Sequence, residues 1–458
     1  MASSAILSAL SSGGLGTGPG IDVTSTVNAL ITNLRAPEQV WQGQQQQLQS
    51  QVSALTQLNS EVTALSNAVN NLSDPAGSLS ARTVTSSQSG IVTASASNAT
   101  PAGSHTVVVS SLATTASYYS NSVGSSSTPL ATGTFTVQVG SGQAATITID
   151  NTNNTLDELA AAINNQNLGI SASVVNDANG ARLSIVSNNS GAANDLTITN
   201  EAGGLSFTKG STGANASLTV DGVPISSASN TVSGTVAGLT LNLAGADPNT
   251  PVQIGVTPNT TTVTTAVTDF VNAYNTTIQD LNSQFAYDKA TNSAGPLAGD
   301  SGARLAQNEL LSALTYTATG NNAFNSLASL GISVNDDGTL SVDNTALTNA
   351  VSSNFAGVQA FFQPATGTGF ASFLSDQLTS LSDPTQGAFS IEINGANSSI
   401  QSFQDQINNY EVYIASEQTL LTAQYDQVNV ALQQLPLLQQ QINAELGYTS
   451  NTNSNNKG

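Results

Sequence analysis

Residues 48–72, LQSQVSALTQLNSEVTALSNAVNNL, place Leu48, Val52, Leu55, Leu58, Val62, Leu65, Val69 and Leu72 on one helical stripe. Carried toward the N-terminus, the phase picks up Val27, Leu34 and Trp41, so Val27, Leu34, Trp41, Leu48, Leu55, Val62 and Val69 fall one heptad apart. Far downstream, Ile400, Ile407, Ile414, Leu421, Val428, Leu435 and Ile442 repeat the spacing. Strict sevens mean a supercoiled seam, because a straight helix at 3.6 residues per turn would drift out of phase. Two distant segments therefore ask for helical partners. The inner halves, Leu48 to Val69 and Ile400 to Leu421, are expected to run antiparallel in one leg. The outer ends, toward Val27 and Ile442, are assigned to assembly with other chains, and the heptad residues together form the candidate assembly site.

The chain has 458 residues, seven Lys and Arg against 28 Asp and Glu, a net charge of −21 and no cysteine. Its length suits roughly three or four domains. Charged residues make up only 8%, so solubility falls to Ser, Thr, Asn and Gln. The bases Arg35, Arg82, Arg182, Lys209, Lys289, Arg304 and Lys457 are scattered, which excludes a phosphate-binding patch and with it nucleic acid. Without cysteine there are no disulfides and no thiolate chemistry. Gly13, Gly14, Gly16, Gly18, Pro19 and Gly20 interrupt any signal-peptide core, so no cleaved signal is expected. No apolar run reaches the ~18 residues of a membrane span.

Asp22 is a natural N-cap for a short helix through Leu34, after which Pro37 and Gly43 should break the chain. A long helix is expected from Gln44 to Leu72, about 43 Å, ended by Asp74, Pro75 and Gly77. Alternation from Arg82 to Leu112 reads as strands, and the polar stretch Ala113 to Thr128 as a linker. Beyond it the pattern is β-β-α-β-β: Phe135, Val137 and Val139 alternate, as do Ile147 and Ile149. Thr155 and Glu158 form a capping box ahead of a helix, and Asn179-Gly180 joins two more strands. A second β group follows across Asp221-Gly222 and on through Thr231 to Leu243 and Val252 to Val256. Helical spacing resumes at Val267, Phe270, Val271, Tyr274, Ile278, Leu281 and Phe285. Further helices are expected over Ala303 to Leu314, Asn344 to Phe362 and Phe370 to Leu381, with a hairpin from Ile332 to Val342 turning at Asp337-Gly338. The last helix should begin near Asn397 and kink near Leu435, ahead of Pro436.

The fold class that emerges is α+β and multidomain, with terminal helices forming a coiled-coil leg and nested β-rich heads, one containing the β-β-α-β-β unit. Five regions are expected: a mobile N-terminal segment, 1–43; a helical leg domain, 44–74 plus 260–424; a β-rich head, 75–120 plus 232–259; an inserted second head, 121–231; and a mobile C-terminal helix and tail, 425–458.

Reactive constellations are absent from the sequence. His105 is the single histidine, entering a strand after a Gly-Ser turn, and is assigned a surface or packing role. Zinc would have to rest on carboxylates alone. Asn335-Asp336-Asp337-Gly338 lacks the alternate ligands and closing Glu of a calcium loop and reads as a turn. Asp157 and Glu158 are explained by helix capping, and no glycosidase pair has local support. Gly13 to Gly20 follows no strand and has no Lys, unlike a phosphate loop. Trp41 reads as a seam residue. No catalytic, cofactor or metal site is expected, and the chain is not expected to be an enzyme.

Several separated stretches resemble one family, the flagellar hook-associated protein 2 family, also called the flagellar filament cap protein. GLGTGPGIDVTSTVNALITNL (14–34) with Ala36-Pro37 is similar to its N-terminal signature. So is the stretch to Leu112, with Ala94-Ser95-Ala96, Pro101, Gly103-Ser104 and Val109 to Ala113. Thr155 to Gly191 resembles the flagellin-type repeat of the heads. DFVNAYNTTIQDL (269–281), GPLAGDSGAR (295–304) and LGISVNDDGTLSVD (330–343) follow the C-terminal domain in order. Only Ser120 to Gly133 and the last dozen residues lie outside the resemblance. One departure is that Gln and Asn stand where members usually carry Lys, Arg and Glu around the C-terminal heptads. The resemblance implies a homo-oligomeric ring, such as a pentamer, at the extracellular tip of the bacterial flagellum. There it would promote flagellin folding and insertion and prevent loss of flagellin monomers. It further implies export by the flagellar type III system, with flagellin, the hook-filament junction protein and an export chaperone as partners. The alternatives carried are a tip adhesin for mucin or host glycans, and another axial protein, flagellin or the junction protein.

Overall fold

The structure is a computed structural model that describes residues 21–446 apart from Ala99, Ala202, Thr291 and Asn322. The expectations for Gly13 to Gly20, for mobility of 1–20 and for the tail from 447 lie outside the described residues. Helix α1, Val23–Leu34, starts where the Asp22 carboxylate accepts the Ser25 N–H at 3.1 Å, which satisfies a donor the first turn cannot. Helix α2 then runs unbroken over Ala36–Ser73. The expected break at Pro37 and Gly43 does not occur. Pro37 occupies the first turn, where a missing N–H removes no hydrogen bond, and Gly43 lies on an open face with nothing within 4 Å of a Cβ position.

Strands β1 (Arg82–Ser86), β2 (Val92–Ala96) and β3 (Gly103–Ser111) lead into an inserted unit. It holds β4 (Ser117–Ser120), β5 (Gly133–Val139), β6 (Ala145–Ile149), helix α3 (Leu156–Asn165), β7 (Ile170–Asp177), β8 (Gly180–Ser187), β9 (Leu196–Thr199) and β10 (Phe207–Ser211). The expected β-β-α-β-β order is present. A four-stranded sheet, β10-β4-β8-β7, and a three-stranded one, β6-β5-β9, share a core with Leu156, Leu159 and Ile163 of α3. Ala181, Leu183 and Ile185 of β8 are buried at alternate positions, the two-residue period of a strand with one covered face. The expected linker 113–128 is corrected here. Its Ser117–Ser120 is β4, whose Ser120 Oγ accepts the buried Leu183 N–H at 2.9 Å, a role its polar side chains do not advertise.

The chain returns through β11 (Ala216–Val220), β12 (Val223–Ser227), β13 (Thr231–Val236), β14 (Leu239–Leu243) and β15 (Asp247–Pro258). A five-stranded sheet, β1-β15-β3-β11-β12, and a three-stranded one, β13-β14-β2, enclose Val92, Val107, Val109, Leu218, Leu241 and Ile254. The turn between β11 and β12 has Asp221 at φ 51° and Gly222 at φ 81°, the pair of positive values a two-residue hairpin needs. Since β11 pairs with β3, the sheets place the return ahead of residue 216, earlier than the expected 231. The start moves likewise, because Ala116 already belongs to the inserted core. Where the chain passes between the heads, Asn230 accepts from the Ala113 N–H (2.7 Å) and donates to the Ala113 carbonyl (2.9 Å).

Helix α4, Thr260–Phe285, is capped by Asn259 and buries Val263, Val267, Phe270, Tyr274, Ile278 and Leu281. After a small hairpin, β16 (Tyr287–Asp288) and β17 (Ser293–Ala294), come α5 (Ser301–Ala313), β18 (Ile332–Val334), β19 (Leu340–Val342), α6 (Asn344–Ser353), α7 (Phe355–Phe362), α8 (Phe370–Ser382) and α9 (Ala388–Glu445). The expected single helix 344–362 is two, because the Asn354 side chain accepts the Gly357 N–H and caps a new start. Helix α9 begins at Ala388, earlier than Asn397, and is helical on both sides of Pro436. The core here joins Leu55, Leu58, Val62, Leu65, Val69 and Leu72 of α2 to α4, α5 and the Phe361, Phe362 and Phe370 cluster.

Phe270 is fully buried, with its ring centroid 5.6 Å from that of Phe370. Phe270→Ala should lower the stability of this helical core by about 3–5 kcal/mol. Because the heads have cores of their own, calorimetry should show that transition shifted and the head transitions in place.

Candidate functional site

The candidate site is the leg, where α1 and the N-terminal part of α2 meet α9. Its register is read from polar contacts. Ile21 N–H donates to Asn429 Oδ1 (2.8 Å), Tyr410 OH to the Leu34 carbonyl (2.7 Å) and Gln45 Nε2 to Gln404 Oε1 (3.0 Å). As one position rises the other falls, so the helices are antiparallel, as expected. The pairing nevertheless differs from the expected one. It sets Leu48 at the level of Ile400, Trp41 near Ile407, Leu34 near Ile414 and Val27 near Leu421. Leu55, Val62 and Val69 sit in the helical core instead. A heptad specifies a seam, not the partner that fills it, and α4 and α8 fill the second half of α2.

Val27, Ile31 and Ile414 are buried together, with Leu34, Tyr410, Leu421 and Tyr425 packed on them. The assignment of Val27 to outside assembly and the expectation of mobility for 21–43 are therefore corrected. Val27 is 2% exposed and inside the hairpin. Trp41 meets Tyr410 edge-on, centroids 5.3 Å apart and planes at 86°, a favoured aromatic geometry. The seam reading of Trp41 stands.

Arg35, at the junction of α1 and α2, is the residue that pattern reading missed. Its guanidinium takes both oxygens of Glu411, with Nη2 to Oε2 at 2.8 Å, and also reaches Glu38 at 2.7 Å. The fork gives geometric specificity that Lys would not. Hydrogen bonding from Arg35 holds the Glu411 carboxyl below its usual range, while Glu411 pushes the Arg35 pKa up. A lone base beside Ala36-Pro37 in a chain with seven was the available signal.

Past Leu421 the seam loses its partner. Val428 is 47% exposed, Leu435 57% and Ile442 49%, and Leu437 and Leu438 are exposed beside them. An apolar helix face of this kind marks a docking surface more often than a solvated one.

Elsewhere the polar motifs are structural. His105 Nδ1 is 2.7 Å from Asp221 Oδ2 at the β11–β12 turn. Asp337 Oδ1 accepts from the backbone N–H and hydroxyl of Thr339 within the β18–β19 turn. Thr155 and Glu158 make the capping contacts of α3. Among the described residues no group of three or more His, Cys, Asp and Glu is placed to hold a metal ion, and no helix is long and apolar enough to cross a membrane.

Three family descriptions match the chain in order: "Flagellar hook-associated protein 2 N-terminus" over residues 19–116, "Flagellin hook IN motif" over 134–189, and "Flagellar hook-associated protein 2 C-terminus" over 213–436. The flagellar hook-associated protein 2 of Escherichia coli is 30% identical over 92% of this chain and 95% of its own length. The B-type protein of Pseudomonas aeruginosa is 29% identical over 80% and 83%. The crystal structure of the E. coli flagellar cap protein FliD is similar at a TM-score of 0.60 and 30% identity, covering 75% of this chain and 99% of that one.

Ile414 is 1% exposed, so Ile414→Ala should cost about 2 kcal/mol or more and speed exchange of the α1 amides at least about tenfold. With Glu411 lowered, the Arg35 contact is complete above the ordinary carboxylate pKa of about 4 and is lost only as pH falls through the lower folded value. Exchange of the α1 amides should respond to Glu411→Gln at pH 6, and the difference from the parent should vanish in strong acid.

Proposed function

The chain belongs to the flagellar hook-associated protein 2 family, and from that membership we propose how it acts as a flagellar filament cap. The family is a structural one, found at the filament tip outside the cell. In this reading the subunits form a homo-oligomeric ring whose heads make a plate and whose legs reach down to the filament end. The exposed heptad residues Val428, Leu435 and Ile442 contact flagellin there, promoting its folding and insertion and preventing loss of monomers. The observation that carries the reading is the division of the C-terminal seam. It is covered as far as Leu421 by α1 and α2, and bare from Val428 onward. The covered half gives the leg stiffness, and the bare half is an apolar surface waiting for a partner.

Export through the flagellar type III channel, an export chaperone and contact with the hook-filament junction protein belong to the same proposal. The bare end of α9 offers each of these partners a helical apolar stripe to hold. The adhesin and the other axial identities are not favoured, because the ordered match across both halves of the chain is to the cap family.

Deleting the gene should leave flagellin secreted as monomer, and filaments growing without the protein would refute the cap role. Replacing Val428 with Asn and Leu435 and Ile442 with Gln should leave the folding stability unchanged to within about 0.5 kcal/mol per site, as for exposed positions. Complementation with that variant should not restore filament length, measured by electron microscopy.

A further inference from the structure

The seam between α2 and α4 carries a polar defect that the cap reading does not use. Glu61 on α2 accepts from Gln57 Nε2 at Oε1 (2.7 Å), but its Oε2 is buried and has no hydrogen-bond partner. On α4, Asp280 Oδ1 accepts from Gln284 Nε2 (3.0 Å), while Asp280 Oδ2 and Gln284 Oε1 are likewise buried and unmatched. All three unmatched atoms are acceptors. Buried acceptors without donors are rare and costly in native proteins, and acceptors cannot satisfy one another.

No cation is at hand to resolve the defect. Helices α2, α4, α8 and α9 contain no Lys or Arg, and Arg35 is at the far end of α2, engaged with Glu38 and Glu411. The titratable groups on the helices packed against α2 are Asp269, Tyr274 and Asp280 on α4, Asp376 on α8, and on α9 Glu392, Asp405, Glu411, Glu417, Asp426 and Glu445 with Tyr410, Tyr413 and Tyr425. Of these, Asp280 is the one whose charge acts on Glu61. Burial first, and then that like charge, raise the Glu61 pKa above its usual value, against the Gln57 hydrogen bond.

We propose that Glu61 is a proton-operated latch on this seam: the neutral acid donates its Oε2–H to Asp280 Oδ2 or Gln284 Oε1 and ties α2 to α4. One proton from water supplies the donor that the unmatched acceptors lack. It also removes one of two like charges at the seam. The folded chain binds this proton more tightly than the unfolded chain, so the latch stabilises the leg domain in mild acid. Its contribution falls as pH rises from the ordinary glutamic acid value through the raised one. The leg therefore grips more firmly in acid than at neutral pH.

The test compares the full-length chain with Glu61→Gln, which copies the neutral acid in shape, by thermal unfolding at pH 5 and pH 8. The variant should melt about 2–4 °C higher at pH 8, with the gain shrinking toward pH 5 as the parent takes up its proton. Asp280→Asn should raise the pH 8 melting temperature as well, and the double variant should gain less than the sum. A fall or no change at pH 8 for Glu61→Gln, or an equal shift at both pH values, would overturn the latch. Carboxyl carbon NMR of the parent is the second measurement, independent of how the variants fold. Titration of Glu61 above its usual midpoint is the expected result, and a midpoint at or below it rejects the proposal.

Discussion

Everything in this molecule depends on the chain leaving and re-entering its helical region through one antiparallel seam. Once Tyr410 is bonded to the Leu34 carbonyl and Arg35 is forked onto Glu411, the residues between them must fold as excursions from a common base. The heads are those excursions. The first is closed by β15 returning between β1 and β3, and the second is inserted within the first. Contacts of long sequence separation thus hold the ends together, an arrangement that folds slowly but leaves each core independent of the others.

Periodicity made much of this legible. The strands and helix of the inserted unit follow directly from alternation at Phe135, Val137 and Val139 and the capping box at Thr155, because these are local rules. The antiparallel leg was legible for a topological reason, since both termini carry heptads. What pattern could not supply was the identity of the partner. Val62 and Val69 look the same as Val27 in a heptad, yet they pack on α4 and α8 while Val27 packs on α9.

Other features lay outside pattern altogether. Ser117–Ser120 reads as linker because its inward residue is a hydroxyl bonded to backbone, and hydropathy is blind to such a strand. Pro37 reads as a breaker until its position in the first turn is known. Arg35 was invisible because its importance comes from Glu411, 376 positions away. Residues whose role depends on a long-range partner announce nothing to a local rule.

The chain keeps its surface polar with amides and hydroxyls, and only 8% of its residues are charged. Its leg pairs through aliphatic side chains, Gln45 with Gln404, and the short-range Arg35 fork. Dissolved ions weaken interactions between exposed charges, with a screening length near 8 Å at about 0.15 M salt, and have little hold on hydroxyls, amides and buried methyl groups. Such a leg keeps its shape alike in dilute fresh water and in brine. For a part that stands in whatever fluid surrounds the cell, that indifference to salinity is the practical result of replacing Lys and Glu with Gln and Asn.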